Sequence, residues 1–228
     1  MFTEYKIKWI NNHIVIDDDQ GLLVDTGSPL SFHSSGVINI CRDSITVPTS
    51  LVNVTAAYLQ GKISEGIQGI IGTDIISKHS ILFNLHENGW NCVLMDDDAE
   101  YGNHIDSFSF IGIYGLYIFI EGKKRKMIFD TGAPVSYLSS FLVRDKVILR
   151  KGEDFSPLLN GDFNIDIVTA PASIQKEGVC FNFEFGFSRL IDPTLQLLGV
   201  DGIMGSELLK YYRLQIKGRS LILPPQGI

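Results

Sequence analysis

Three apolar residues, then Asp-Thr-Gly, then a small residue and a proline occur twice in this chain. The copies are Leu22-Leu23-Val24-Asp25-Thr26-Gly27-Ser28-Pro29 and Met127-Ile128-Phe129-Asp130-Thr131-Gly132-Ala133-Pro134. A short apolar run bounded by turn formers suits a strand buried on both faces. Such a strand delivers a carboxylate to a turn whose glycine tolerates unusual backbone angles. A carboxylate at a buried strand end is costly unless it is paired, hydrogen-bonded or used. Two of them in one chain imply that they face each other. From average amino-acid usage, a single Asp-Thr-Gly arises by accident in roughly one chain in twenty of this length, and alone it reads as an ordinary strand-to-turn corner. The second copy lies 105 positions after the first, with the same flanks, which reads as an internal duplication. A second signature is also doubled. Gly69-Ile70-Ile71-Gly72-Thr73-Asp74-Ile75-Ile76 follows the first copy, and Gly202-Ile203-Met204-Gly205-Ser206-Glu207-Leu208-Leu209 follows the second.

These paired signatures resemble those of the aspartic peptidases, the pepsin-like and retropepsin-like group. In that family each of two similar lobes, or two identical subunits, places one Asp-Thr/Ser-Gly loop around a shared water. The resemblance implies a mostly β, two-lobed acid-protease fold with pseudo-twofold symmetry and a few short helices. Residues 1–100 would form the N-terminal lobe and residues 101–228 the C-terminal lobe. It implies Asp25 and Asp130 as the catalytic pair, acting without metal or other cofactor. Two carboxylates about 3 Å apart retain one proton between them, so one acts as base and the other as acid. Thr26 and Thr131 would hydrogen-bond across the axis, as the matching threonines do in the family. Gly27 and Gly132 leave room and donate backbone N–H groups toward the carboxylates. The next position breaks the symmetry: Ser28 has a hydroxyl and Ala133 does not. Ser28 is expected to favour an ionised Asp25, leaving the proton on Asp130. In retroviral-type members a basic residue after the later glycine ties to the partner subunit. Thr73 and Ser206 stand there, so that interlock is not expected.

Composition narrows the function classes. A net charge of -7 argues against a general affinity for nucleic acid or anionic membranes. No signal peptide is legible at Met1-Phe2-Thr3-Glu4-Tyr5, and the most apolar stretch, residues 108–120, is broken by glycines and a serine. Three cysteines without Cys-x-x-Cys spacing, Cys41, Cys92 and Cys180, read as buried free thiols of a reducing, cytoplasmic compartment. The five histidines show no metal-ligand spacing, and no cysteine sits in a nucleophile context. The Asp triplet at 17–19 lacks the spaced ligands of a calcium loop and reads as a solvated turn.

Along the chain, residues 5–10, 14–16 and 22–24 read as strands leading to Asp25, and 115–120 and 127–129 repeat the plan before Asp130. Lys123-Lys124-Arg125-Lys126 reads as a solvated hairpin tip. Strands are expected at 37–41, 44–47, 81–85 and 90–95. A helix is expected over 54–60, stopped by Gly61, and a short one through Lys78 capped by Thr73. The polar run 96–106 reads as the link between lobes. Asp130 and Gly205 lie 75 residues apart, against 47 for Asp25 and Gly72, so only the second half has length for a covering hairpin, within 152–187. No flap tyrosine of the pepsin-like kind is identified.

The expected activity is aspartic endopeptidase, by a monomer that holds an extended polypeptide in the cleft between lobes. An apolar preference around the cut is implied by the resemblance alone. The rival, motivated by the shortened first half, is a catalytically weak or inactive peptide-binding or sensing module on the same fold.

Overall fold

Asn11 and Asn12, with φ of 49° and 62°, make the tight turn between strands β1 (Phe2–Ile10) and β2 (His13–Ile16). Asparagine tolerates this left-handed backbone better than most residues, and two such residues in a row close a hairpin. The chain follows β3 (Leu22–Val24) to the Asp25 loop and returns through β4 (Phe32–His33). A separate hairpin follows, β5 (Val37–Ile40) with β6 (Asp43–Thr46), and then helix α1 (Ala56–Lys62). Strand β7 (Gly69–Ile71) inserts between β3 and β4, parallel to the first and antiparallel to the second. Helix α2 (Thr73–Ile76) and the hairpin β8 (Ser80–His86) with β9 (Gly89–Met95) complete this half. The computed structural model describes residues 2–86, 89–95, 100–156 and 161–225, those at 2, 85, 86 and 89–95 by backbone alone.

The second half repeats the plan at greater length. Strands β10 (Asn103–His104), β11 (Ser107–Phe110), β12 (Ile113–Ile120) and β13 (Lys123–Phe129) lead to the Asp130 loop. After β14 (Ser136–Leu138), an antiparallel set intervenes: β15 (Arg150–Ser156), β16 (Gly161–Ser173) and β17 (Phe181–Phe187). Helix α3 (Asp192–Leu198) precedes β18 (Gly202–Met204), which lies parallel to β13 and antiparallel to β14, as β7 lies to β3 and β4. The last hairpin is β19 (Leu214–Lys217) with β20 (Ser220–Leu223). The fold is mostly β, in two large sheets, as the sequence led one to expect.

The sheets do not divide at residue 100. β19 pairs with β8, and β20 pairs with β10, so the C-terminal hairpin extends the ten-stranded sheet of the first half. The supposed link at 96–106 thus contributes a strand, with 96–99 outside the described residues. One buried cluster accordingly runs through both halves, from Ile14 and Phe83 through Leu116 to Phe185 and Leu214. Two smaller clusters are placed alike in the two halves: Leu23, Phe32, Leu59 and Ile70 under α1, and Tyr137, Phe163, Ile167 and Leu195 under α3. Helices of seven residues are too short to persist alone. Burial of one leucine in each, at roughly 1.5–3 kcal/mol, is what fixes them.

Some local expectations are corrected. Helix α1 begins later and runs through Gly61, because Thr55 caps it by accepting from Tyr58 N at 3.1 Å. A glycine costs only about 1 kcal/mol against alanine in a helix, too little to stop a capped and packed one. Gly72, not Thr73, is the N-cap of α2, and Thr73 is its buried first residue. The basic run 123–126 lies in β13 and not at the tip, because Glu121 and Gly122, at φ 51° and 74°, make the turn. There Lys124 and Lys126 lie over the rings of Tyr117 and Phe108. Of the cysteines, Cys180 is exposed and not buried; Cys41 and Cys180 are free thiols, and the Cys92 side chain lies outside the described residues. No helix among the described residues is long and apolar enough to cross a membrane.

Candidate active site

Both apolar strands end side by side. Asp25 N donates to Ile71 O at 3.1 Å and Asp130 N to Met204 O at 2.9 Å, so each loop is fixed to the parallel strand beside it. Thr26 and Thr131 are fully buried and bond across the halves. The Thr26 hydroxyl donates to Phe129 O at 2.8 Å and accepts from Thr131 N at 2.9 Å. Reciprocally, the Thr131 hydroxyl donates to Val24 O at 2.7 Å and accepts from Thr26 N at 3.1 Å. These four bonds set the separation of the loops.

The carboxyl groups of Asp25 and Asp130 approach each other between the two loops, and each residue is half-buried. Each carboxyl is tucked over the other loop's glycine. A Cβ added to Gly27 would lie 2.3 Å from Asp130 Cγ, and one added to Gly132 would lie 2.5 Å from Asp25 Cγ. A side chain at either position would push the opposite carboxyl out of place, which is the physical reason for glycine in both motifs. Asp25 Oδ1 accepts from Gly27 N at 2.9 Å and Ser28 N at 3.0 Å, while Asp130 Oδ1 accepts from Gly132 N at 2.9 Å.

Burial raises both carboxyls above the ordinary aspartate value. Asp130 is raised further, by burial first and then by the neighbouring charge of Asp25. The raised titration belongs to the pair and not to either residue alone. The contact between Ser28 and Asp25 differs from the one read in the sequence. The Ser28 hydroxyl donates to Leu30 O at 2.7 Å and not to Asp25; it is the Ser28 backbone N–H that steadies the charge.

Two supporting residues were missed in the sequence. Ser31 Oγ accepts from Gly72 N at 2.8 Å, and Ser136 Oγ accepts from Gly205 N at 3.1 Å. Each serine is the sixth residue after its aspartate, so extending the repeat two positions past proline would have found them. The acids after the repeat differ in use: Asp74 accepts from Ser31 Oγ at 2.5 Å, whereas burial raises Glu207 above the usual glutamate value. At the position of the interlock that was not expected, Ser206 Oγ donates to Asn12 O at 2.5 Å, a link between the halves of another kind.

A hairpin from the second half covers the first. β15 and β16 carry Phe155 against the rings of His13 and Tyr58, with centroids 6.0 and 6.2 Å apart. Lys62 of α1 reaches both oxygens of Asp162 at 2.7 Å. The residues connecting the two strands, 157–160, lie outside the described residues. Beneath the hairpin, the Tyr137 hydroxyl donates to Asp154. Tyr137 is held well above the usual tyrosine range by burial first, then by Asp154, and the charge of Asp130 also reaches it. This tyrosine stands on β14, seven residues after Asp130, and only its contact with a distant hairpin distinguishes it from a core residue.

No metal-type cluster of side chains occurs among the described residues. Cys41 Sγ lies 3.9 Å from His79 Nδ1, a contact that sequence spacing did not signal. The chain matches no protein-family model and no curated protein. Among solved structures it is similar to a retropepsin-like aspartic protease from Rickettsia conorii, at 18% identity and a TM-score of 0.33, over 63% of this chain and 98% of that one.

Proposed function

We propose that the protein is an aspartic endopeptidase in which Asp25 and Asp130 activate one water between them. The observation that carries this reading is two facing carboxyl groups, each over the other loop's glycine, on loops cross-tied by Thr26 and Thr131. Two carboxyls so close cannot both ionise cheaply, and the pair is then base and acid at once. Asp25, steadied by two N–H groups, takes a proton from the water as its oxygen attacks the peptide carbonyl carbon. Asp130 gives its proton to the carbonyl oxygen, forming a neutral tetrahedral diol. The return of protons through the pair, one of them to the leaving nitrogen, expels the amine and frees the acid. No group outside the dyad is needed for the proton balance.

Each half supplies one aspartate, so the reading requires a single chain. An extended polypeptide would lie across the dyad, covered by the β15–β16 hairpin. The free thiols of Cys41 and Cys180 fit a reducing, cytoplasmic compartment. Incubation with an unfolded protein between pH 3 and 8 tests the activity. Wild type is expected to cut it, and Asp25→Asn and Asp130→Asn each to lose cutting by at least about 10³-fold, within the range one essential residue supplies. Tight peptide binding by wild type with no cleavage at any pH would move the protein to the class of peptide-binding modules.

A further inference from the structure

Between the covering hairpin and α1 lies a cavity of about 510 Å³, a size that accommodates a ligand group. Pro134 and Val135, four and five residues past Asp130, form one wall and bring the cavity to the dyad loop. His13, Lys62, Glu153, Asp154 and Asp162 form others.

Among the charged side chains here acids outnumber bases, and the Asn11 amide donates elsewhere, to Ile63 O at 3.2 Å. His13 is 2% exposed, and its Nδ1 lies 3.3 Å from Ile10 O. A carbonyl can only accept, so Nδ1 carries the proton and Nε2 presents a lone pair. That Nε2 is buried and has no partner among the described residues. Burial lowers the pKa of His13, which keeps the ring neutral and Nε2 an acceptor near pH 7. Glu153 has no ion-pair partner among the described residues. Asp154 accepts from the Tyr137 hydroxyl and from Phe155 N, and a carboxylate has room for further donors. Lys62, the one cation among the described lining residues, is engaged with Asp162. Three carboxyl groups against one ammonium leave the cavity negative, and an unpaired buried acceptor is costly until a donor arrives.

We propose that this cavity is a subsite of the substrate cleft that takes an arginine or lysine side chain of the bound polypeptide. The long methylene stem lies against Val135, Pro134 and the Phe155 ring, and the cationic head donates to Glu153 and His13 Nε2, on the face of β15 that Phe155 presents to His13. The inference rests on the peptidase reading and replaces the apolar preference implied by resemblance at this one position. The hairpin that covers the cleft is then also the element that selects substrates.

Fluorogenic peptides carrying arginine, or its neutral isostere citrulline, at each of the four positions on either side of the cut test it. At one position wild type is expected to prefer arginine by at least about 10-fold in kcat/KM, the scale of one charge-assisted hydrogen bond. Glu153→Gln should bring that ratio to about 3-fold or less, since it removes the unpaired carboxylate and keeps the shape. Equal cleavage of both peptides at every position, or an undiminished ratio in Glu153→Gln, overturns the subsite. If no peptide is cut, the hydrolase reading fails, and the subsite is read from peptide binding to Asp25→Asn by fluorescence anisotropy. A preference for arginine of about 10-fold in Kd then upholds it. Equal Kd values overturn it.

Discussion

Replacing Thr26 by valine keeps the branched shape and removes one hydroxyl. In the folded chain that hydroxyl serves two groups of the other loop, Phe129 O at 2.8 Å and Thr131 N at 2.9 Å. Thr26 is wholly inaccessible to water, so neither group finds a substitute partner. Leaving a buried backbone donor or acceptor unsatisfied costs about 1–3 kcal/mol, so the two together cost about 2–6 kcal/mol. Against a total stability of about 5–15 kcal/mol for a typical protein, that is a large fraction. Thr26→Ser keeps both bonds and loses one methyl, at a cost of about 1 kcal/mol. Equilibrium urea denaturation of the two variants and wild type separates the terms, read as a shift in midpoint at constant slope. The cut rate should follow, with serine near wild type and valine strongly reduced, because the same bonds set the distance between the carboxyls. If valine destabilises no more than serine does, the threonines do not tie the halves, and the account of the loops is wrong.

Three other outcomes follow from the same geometry. Gly27→Ala places a Cβ 2.3 Å from Asp130 Cγ, against ordinary contacts beyond 3.4 Å, so the carboxyl must move by about 1 Å; kcat should fall by about 10²-fold, and an unchanged kcat contradicts the close approach. Ser28→Ala should leave the acidic limb of the pH–rate profile in place, because the hydroxyl bonds Leu30 O; a shift of that limb would mean that it reaches Asp25. Asp130 has a folded-state pKa raised above its unfolded value, so the stability of its neutral form is full below about pH 4 and is lost as pH rises through the folded value. Asp130→Asn, a neutral isostere, should therefore gain Tm relative to wild type between pH 4 and 8. A constant difference across that window would refute the raised pKa.

The site was legible because its signals are local and doubled. Leu22-Leu23-Val24 and Met127-Ile128-Phe129 announce buried strands by composition, and the acid, threonine and glycine that follow have strict geometric demands. Ser28 misled because a side chain was credited with what a backbone N–H does, and sequence cannot distinguish them. Ser31 and Ser136 repeat as faithfully as the aspartates, yet a lone serine has no pattern of its own until Gly72 N and Gly205 N are seen to need an acceptor. The pairing of β19 with β8 joins residues more than a hundred positions apart, and no periodicity encodes which edge a strand will seek. The covering hairpin could be placed by length alone. That it grips α1 through Lys62 and Asp162, and stands over Tyr137, depends on contacts between halves.

The central claim is that Asp25 and Asp130 share one proton. A 13C NMR titration of aspartate-labelled protein, with the two carboxyls assigned through Asp25→Asn and Asp130→Asn, measures this directly. Above the ordinary aspartate range one carboxyl of the pair is expected to remain protonated, and in Asp25→Asn the remaining Asp130 should titrate at a lower pH than in wild type. Two carboxyls titrating independently near pH 4, each blind to the loss of the other, would contradict the account.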